Sequence, residues 1–374
     1  MIYLDYAANT PICQEALTEL TQASAQYIGN PNSNHEEGRK ARVRIQEATN
    51  HIAQMLGVKA DEIIFTSGAS EANNLAIKGI ANRYKRAGKH MITTYVEHSS
   101  LNGAIMGLTD LGYEVDLVGL DENGKVDLEQ LRDLIRKDTI LVSTCLVDSE
   151  LGLIQPVDEI AKIVKDYPNC HFHIDATQAV GKIPVDFTQA DLVTFTAHKF
   201  YGPVGIGALI KKEGVELTPM IEGGLSTTVY RSGTPTLSLI TSMEVALQQA
   251  LLDLDVKMAQ VKKLSDQLRK QLGSYKNIVI NSSSEGSPYI LNFSLKGMKS
   301  LEFTGKLDEA GFCVSTKSAC CPENAVSKPV FAKTKDRKLA MNPVRVSLSH
   351  LTTDAEVEQF IKAFDTIYKE LQTN

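Results

Sequence analysis

The stretch that decides the fold is CHFHIDATQAVGKIPVDFTQADLVTFTAHKFYGPVGIG, which spans residues 170–207. It contains two short, mostly apolar runs, 170–174 and 191–195, and polar or turn residues bound each run. Runs of this length with such boundaries predict buried strands. Asp175 follows the first predicted strand and Lys199 follows the second. Both side chains are therefore expected at the carboxyl ends of strands, where open α/β sheets bind their ligands.

An acid and a lysine at the ends of neighbouring strands suit pyridoxal 5′-phosphate (PLP). This cofactor needs a lysine amine for a Schiff base and a carboxylate beside its pyridine nitrogen. Considered singly, Asp175 is typical of a helix N-cap and Lys199 of a solvated surface position. The pair is a stronger signal, because Thr196 and His198 add hydrogen-bond donors for a phosphate beside the lysine. Three glycines follow at 202–207 without the spacing of a dinucleotide fingerprint, so we expect them to allow tight turning near the cofactor.

Strands and helices alternate along the middle of the chain, which predicts an α/β fold. The predicted strands are 91–95, 114–118, 140–144, 171–174, 192–195 and 206–210. This alternation is typical of a mostly parallel sheet that is covered by helices on both faces. The length of 374 residues further predicts two domains. We place a large domain at 12–250 and a smaller α+β domain at 1–11 and 251–374, with a continuous helical pattern at 236–273 connecting them.

Three further motifs have residue types that suit such a site. The turn Ser67-Gly68-Ala69-Ser70 separates a predicted strand from a helix, so its backbone N–H groups can bind an anion, although a plain capped helix has the same pattern. His98 follows another predicted strand; a lone histidine there is more often structural, but imidazole is planar and titrates near neutrality. Arg345 ends a short predicted strand, and arginine can hold a carboxylate by two hydrogen bonds.

Together these motifs resemble the PLP site of the class V aminotransferases of fold type I, and specifically that of the cysteine desulfurases, closer to their group I branch. The resemblance extends over nearly the whole chain, from Tyr3-Leu4-Asp5-Tyr6-Ala7-Ala8 to Arg345-Val346-Ser347-Leu348. It implies a fold type I transferase with a large PLP-binding domain and a smaller domain. It also implies a homodimer that converts L-cysteine to L-alanine and passes the sulfur to an acceptor protein.

The resemblance implies a role for each residue of the cofactor site. Lys199 would hold PLP covalently, Asp175 would contact the ring nitrogen, and His98 would stack on the ring and move protons. Gln178 and Ser149 would contact the phenolic oxygen, although Ser149 replaces an asparagine of the family. The phosphate would be bound by Ala69, Ser70, Thr196, His198 and, from the other subunit, Thr234 of an Arg-Ser-Gly-Thr motif.

The resemblance also implies where the substrate and its sulfur are bound. Cys320 ends the motif Thr-Lys-Ser-Ala-Cys, which is similar to Ser-Gly-Ser-Ala-Cys of the desulfurases, and it would accept sulfur as a persulfide. Arg345 would bind the α-carboxylate of L-cysteine. Asn34 lies in a loop that matches the active-site entrance of the family. Cys321 beside Cys320 is unusual, and we interpret it as a candidate resolving thiol.

Two departures from the family pattern leave other functions open. Asp148-Ser149-Glu150 stands where the family has Asn-Asn-Glu, and residues 227–229 differ from its glycine-rich loop. The alternatives are another class V enzyme, such as a selenocysteine lyase or an aminotransferase, and a degenerate paralogue that acts as a sulfur-relay partner. The sulfur acceptor stays open among an iron–sulfur scaffold, a tRNA-thiolation enzyme and a thiamine-pathway protein.

Composition excludes several broad classes of protein. A net charge of −6, from 39 basic and 45 acidic residues, argues against a dedicated nucleic-acid binder. No run approaches the roughly eighteen apolar residues of a membrane-spanning helix. The stretch MIYLDYAANT lacks the basic region of a signal peptide. The six cysteines have no metal-binding spacing, so we expect reduced thiols in the cytoplasm and no metal site.

Overall fold

The computed structural model describes residues 1–224, 226–317 and 325–372. The strands of this part of the chain are β1 (Ile2–Tyr3), β2 (Ile63–Thr66), β3 (His90–Thr94), β4 (Glu114–Val118), β5 (Thr139–Cys145), β6 (His171–Asp175), β7 (Leu192–Thr196), β8 (Gly207–Lys211), β9 (Ile278–Ile280), β10 (Ile290–Leu295), β11 (Phe312–Cys313) and β12 (Pro343–Ser347). Its α-helices are α1 (Gln14–Gln26), α2 (Glu36–Leu56), α3 (Ala69–Tyr84), α4 (Ser99–Met106), α5 (Leu128–Leu134), α6 (Val157–Val164), α7 (Leu237–Leu251), α8 (Leu254–Leu272), α9 (Ser300–Glu309), α10 (Lys328–Thr334), α11 (Arg337–Met341) and α12 (Asp354–Gln372).

The largest sheet has the strand order β2-β8-β7-β6-β5-β3-β4. Neighbouring strands are parallel from β7 to β4, whereas β8 runs antiparallel to both β7 and β2. Helices cover both faces of this sheet. Successive residues of one strand point to opposite faces, and they belong to different hydrophobic cores. Leu141 packs with α3 and α4, while Val142 packs with α2, α6 and α7. The predicted α/β fold with a mostly parallel, helix-covered sheet is therefore confirmed.

Strand register brings the ends of three central strands to one edge of this sheet. Cys145 at the end of β5 pairs with Asp175 at the end of β6, and Asp175 pairs with Thr194 near the end of β7. Every residue of β5 and β7 is buried, as the apolar runs in the sequence predict. Residues that follow these strands are thus held at the carboxyl edge by a rigid, fully packed support.

Hydrogen bonds between side chains also join these three strands. His173 on β6 lies 2.7 Å from the Ser143 hydroxyl on β5 and 3.0 Å from the Thr194 hydroxyl on β7, measured from its Nδ1 and Nε2 atoms. The imidazole is fully buried, and burial lowers the pKa of His173 to about 4. The ring is therefore neutral near pH 7 and stabilises the sheet beneath Asp175 through both nitrogens.

The long helix α2 has the bounds that its sequence pattern predicts. Its buried face includes Ile45, Ile52 and Leu56, and full burial of such a side chain stabilises the fold by about 1.5–3 kcal/mol. Gly57 ends the helix with a left-handed φ of 66°, which costs glycine less than any residue with a Cβ.

Two segments differ from their predicted structure. The helical pattern at 236–273 is broken into α7 and α8, because Asp253 adopts a left-handed φ of 52° and Leu252 before it is extended. The lysine-rich charge run within residues 325–342 is typical of a mobile, solvated loop, but these residues contain α10 and α11. The side chains of Ser327 and Asp336 cap these two helices by accepting backbone N–H groups.

A second core lies around the antiparallel sheet β12-β10-β9. It includes side chains from α8, α9 and α12, and the rings of Phe293 and Phe303 each contact that of Phe364. Leu4 also belongs to this core. The two ends of the chain thus share one core, and the domain boundaries at 11–12 and 250–251 stay a prediction. Among the described residues, no helix combines the length and the apolar character that crossing a membrane requires.

Candidate active site

A cavity of about 380 Å³ opens at the carboxyl edge of the large sheet. Most of the predicted site residues line it: Ala69, Ser70, His98, Ser149, Asp175, Gln178, Thr196, His198, Lys199 and Arg345. They come from the ends of several strands and from the turns that follow, which is the arrangement the strand register produces. Residues that are far apart in the chain therefore share one enclosed space.

The remaining predicted residues are not part of this lining. Asn34 and Thr234 are exposed on the surface of the chain. Exposure of Thr234 fits its predicted contact with another subunit, which stays a prediction. Cys320 and Cys321 fall in 318–324, outside the described residues, so their predicted roles also stay predictions.

Asp175 is buried, and protein donors hold both of its carboxylate oxygens. The backbone N–H of Thr177 donates to Oδ1 at 3.0 Å, and the Asn73 amide donates to Oδ2 at 2.8 Å. Asn73 is fully buried on the face of α3 that packs against the sheet. Sequence analysis missed this residue, although an asparagine on an otherwise apolar helix face is a signal that would have identified it.

His98 is oriented by the start of α4. The backbone N–H of Ser100 donates to His98 Nδ1 at 3.2 Å, and the Ser100 hydroxyl lies 2.9 Å from the same atom. Because Nδ1 accepts, the neutral ring carries its proton on Nε2. Burial lowers the pKa of His98; Asp175 opposes this shift and Lys199 adds to it. His98 is therefore a neutral, planar ring near pH 7.

A chain of hydrogen bonds connects His98 to Asp175. The Asn73 amide donates to the Ser100 hydroxyl at 3.0 Å and to Asp175 at 2.8 Å. The residue predicted to stack on the cofactor and the residue predicted to contact its ring nitrogen therefore share one buried support.

The predicted phosphate cradle lies at the beginning of α3. Gly68 precedes the helix with a φ of 152° and no side chain caps the helix there, so the first N–H groups stay open to the cavity. A Cβ on Gly207 of the neighbouring strand would lie 2.8 Å from the Gly68 Cα. Glycine at 207 thus allows β8 to approach the cradle, as the sequence pattern predicts.

Thr196 and His198 line the same cavity, and a Cβ on Gly68 would lie 3.7 Å from the Thr196 hydroxyl. The Thr196 hydroxyl donates to the Ile206 carbonyl at 3.0 Å, so it accepts the Nδ1 proton of His198 at 3.1 Å. Burial lowers the pKa of His198 to about 4, and the charges of Lys199 and Lys182 add to the shift. Thr196 would have to rotate its hydroxyl to donate to a phosphate.

Lys199 follows β7 and directs its amine toward the beginning of the chain. Its Nζ donates to the Ala7 carbonyl at 2.7 Å and to the Ala8 carbonyl at 2.6 Å. The segment that precedes α1 therefore forms part of the site.

Arg345 is buried within an ionic and polar network of the protein itself. Its Nη2 pairs with Asp5 Oδ1 at 2.8 Å, and its Nη1 donates to the Ser149 carbonyl at 2.9 Å. Arg345 Nε is buried without a hydrogen-bond partner among the described residues. Arg345 lines the cavity, and its contacts with Asp5 and Ser149 use two of its five N–H groups. Asp5 is a second residue that sequence analysis missed.

Glu97 is a buried carboxyl next to the cavity that sequence analysis also left without a role. Its Oε1 accepts the Thr94 hydroxyl at 2.6 Å and the Cys145 backbone N–H at 3.0 Å, while its Oε2 has no partner in the described part of the chain. Burial raises the pKa of Glu97 to about 8, although these two hydrogen bonds act to lower it. The group is therefore mostly protonated near pH 7 and adds little negative charge beside Asp175.

The side chains of the cavity fit PLP. One space contains a lysine amine, a buried carboxylate whose geometry is fixed, a planar neutral imidazole and an uncapped helix N-terminus for a phosphate. Among the described residues, no group of His, Cys, Asp and Glu is arranged to hold a metal ion.

The model of the aminotransferase class-V family matches residues 2–360. The chain belongs to this family. It is 40% identical over 376 residues to the NifS/IcsS protein homolog of Lactobacillus delbrueckii subsp. bulgaricus, covering 99% of this chain and 97% of that one. It is 36% identical over 377 residues to a protein named cysteine desulfurase IscS from Dictyoglomus turgidum, covering 100% and 95% of the two chains.

Solved structures agree with these sequence relatives. A NifS-like protein superimposes with a TM-score of 0.93 at 32% identity, covering 99% of this chain and 100% of that one. A structure described as SspA in complex with cysteine has a TM-score of 0.83 at 29% identity, covering 94% and 100%. The predicted fold type I and the resemblance to the cysteine desulfurases are therefore confirmed.

Proposed function

We propose that this protein is a PLP-dependent cysteine desulfurase that converts L-cysteine to L-alanine and transfers the sulfur to Cys320. The observation that carries this proposal is the single cavity that contains Lys199, Asp175, His98 and Arg345. Relatives named cysteine desulfurase match over essentially the full length of the chain, which favours this function over the lyase, aminotransferase and relay alternatives.

Lys199, Asp175 and the turn at 67–70 would hold PLP. The Lys199 amine would be the covalent attachment, Asp175 would lie beside the ring nitrogen, and the open N–H groups of α3 would bind the phosphate. When bound, PLP supplies an electron sink that weakens bonds at the α and β carbons of the substrate. Gln178 and Ser149 line the part of the cavity where we place the phenolic oxygen.

Arg345 would orient the substrate through its carboxylate. Asp5 and the Ser149 carbonyl fix the guanidinium plane, and N–H groups that these two contacts do not use would donate to the substrate carboxylate. His98 would exchange protons with the substrate at Nε2, because Ser100 occupies Nδ1.

Described residues before Cys320 are joined to the site, and the two flanks of Cys320 are joined to each other. Ser315 donates to Asp5, which pairs with Arg345, and the Lys317 amine donates to the Ala325 carbonyl. We propose that the Cys320 thiol takes the sulfur, so that L-cysteine and the thiol become L-alanine and a persulfide. Thiolate attack on sulfur leaves the number of electrons and atoms balanced without an added oxidant.

We further propose a homodimer in which Thr234 contacts the phosphate of the partner, a sulfur-acceptor protein as the next recipient, and a cytoplasmic location. Exposure of Thr234 supports the first proposal. The described cysteines Cys13, Cys145, Cys170 and Cys313 are all free thiols, which supports a reducing compartment.

The absorption spectrum of the purified protein tests the proposed cofactor. We expect a yellow protein whose visible band changes on addition of L-cysteine and disappears on borohydride reduction. Mass spectrometry of the reduced protein should locate the cofactor on Lys199. A colourless protein that takes up no added PLP would contradict the proposal.

A further inference from the structure

Lys182 is a buried lysine close to the site whose role the proposed function does not explain. Its side chain is 2% exposed, in the turn that follows β6. Gly181 before it has a φ of 71°, and a Cβ there would lie 2.8 Å from the Cβ atoms of Phe200 and Ala250. This tight packing leaves the lysine pointing inward, where burial of an ammonium is costly.

The Lys182 amine makes one hydrogen bond among the described residues, to Gln178 Oε1 at 2.8 Å. The other end of the same amide, Gln178 Nε2, donates to the Ala7 carbonyl at 2.8 Å. The Ala7 carbonyl also accepts from Lys199 Nζ at 2.7 Å. A continuous chain of hydrogen bonds therefore runs from the buried lysine to the lysine of the cavity.

The chemistry of the two end groups determines which group donates and which accepts in these hydrogen bonds. A lysine ammonium can only donate, and a peptide carbonyl can only accept. The Gln178 amide is therefore held with its oxygen toward Lys182 and its NH₂ group toward Ala7 and the cavity. Without Lys182, the Ala7 carbonyl alone would favour this orientation, and the Gln178 oxygen would lose its donor.

We propose that Lys182 is a positioning residue that fixes the amide orientation of Gln178, so that Gln178 presents only N–H donors to the ring oxygen of the cofactor. This inference rests on the proposed function, because it requires PLP in the cavity. Lys182 does not touch the cofactor in this proposal and acts through Gln178 alone.

The electrostatic surroundings are consistent with a role that requires Lys182 rather than an apolar residue. Burial, with a further contribution from the positive charges of Lys199 and Arg345, lowers the pKa of Lys182 to about 7. An apolar side chain would avoid this unfavourable burial, but it would leave the Gln178 oxygen without a donor.

A double-mutant cycle on the whole protein tests this inference. The variants are Lys182→Met, Gln178→Ala and the double variant, and two quantities are measured for each. One is the dissociation constant for PLP added to the cofactor-free protein, and the other is the pH midpoint of the visible band of the bound cofactor. We expect each single variant to bind PLP about tenfold more weakly, the scale of one hydrogen bond to a charged group. We also expect both to raise the pH midpoint, because a donor to the ring oxygen is weakened or lost.

The double variant decides whether Lys182 acts through Gln178. If it does, Lys182→Met changes neither quantity in the Gln178→Ala background. Additive effects, or a midpoint in Lys182→Met that equals that of the unmodified protein, would overturn the inference. Failure of the unmodified protein to bind PLP would instead refute the proposed function and this inference with it.

Lys211 provides a matched control. It is a buried lysine whose amine donates to the Val215 carbonyl at 2.8 Å, and it does not line the cavity. Lys211→Met should change thermal stability without moving the pH midpoint; an equal shift in Lys211→Met and Lys182→Met would overturn the inference.

If Lys182→Met does not fold, Lys182→Arg keeps a donor at this position and should retain the midpoint of the unmodified protein. A shift as large as that of Gln178→Ala would overturn the inference.

Discussion

At the scale of single residues, Asn73 supports two groups of the proposed mechanism at once. Its amide hydrogens hold Asp175 and, through Ser100, His98. The motif residues were predictable from the sequence because each matches a local pattern of a few letters. Lys182 and Asp5 were not, because their partners lie far away in the chain or match no local pattern. Asn73 had a local signal as a polar residue on an apolar helix face, but only the fold shows that it contacts Asp175 and Ser100.

Asn73→Leu should weaken PLP binding about tenfold, because a buried hydrogen bond to a carboxylate contributes about 1.5–3 kcal/mol. The dissociation constant of PLP, measured by titration of the cofactor-free protein, checks this. Asn74→Ala is the control, since the Asn74 amide donates only to the Ser70 carbonyl within α3. Equal losses in the two variants would show that Asn73 has no specific role.

Cys320 and Cys321 should not substitute for one another, because the nucleophile of the resembled motif directly follows Ser-Ala and Cys321 falls one residue later. Cys320→Ala should still bind PLP and respond spectrally to L-cysteine, since Lys199 and Arg345 remain. Its alanine production should fall by several orders of magnitude, as removal of a nucleophile does in other enzymes. Cys321→Ala should retain this reaction. Peptide mass after brief incubation with L-cysteine should place a persulfide on Cys320, and a persulfide on Cys321 would show that the motif was misaligned by one residue.

At the scale of helices and strands, apolar runs and glycines predicted the elements more reliably than charge did. The central strands and α2 were predictable because their apolar patterns match their burial. The break at Asp253 was not predictable, since the helical pattern continues through it. The helices α10 and α11 were not predictable either, because their lysines indicate an exposed loop although Ser327 and Asp336 cap the two helices.

The His173 contacts between β5, β6 and β7 predict how stability depends on pH. The pKa of His173 is about 4 in the folded chain, against about 6.5 when unfolded. The unfolded chain therefore binds the proton first as the pH falls. Stability should be complete above about pH 6.5 and should decrease by up to about 3 kcal/mol as the pH falls toward 4. Urea unfolding of the cofactor-free protein across this range checks this, and His173→Gln should flatten the profile. An unchanged profile in that variant would contradict the prediction.

At the scale of the whole molecule, the exposed Thr234 predicts that two chains share each site. Mixed dimers of Lys199→Ala and Thr234→Ala chains test this. If Thr234 contacts the phosphate bound by the partner subunit, one of the two sites in the mixed dimer combines an intact Lys199 with an intact Thr234. The mixed dimer should then have about half of the normal PLP-binding sites of the unmodified dimer. If Thr234 serves its own chain, each site retains one defect and no normal site returns. Sedimentation that shows only monomers with PLP bound would also contradict the shared site.

Residues 2–8 contact residues near the other end of the described chain, which are synthesised much later. The Leu4 backbone N–H donates to the Cys313 carbonyl, and Asp5 and Ala7 bond to Arg345 and Ser347, each 340 residues later in the chain. Contacts of such long sequence separation form slowly and only after synthesis has passed both partners. On the ribosome, the central sheet up to β8 can therefore assemble while Lys199 still lacks its fixed Arg345–Asp5 neighbour. The Arg345 end of the site is completed only when β12 has emerged, so a stalled or truncated nascent chain would contain Lys199, the proposed cofactor lysine, without the arginine proposed to hold a substrate carboxylate.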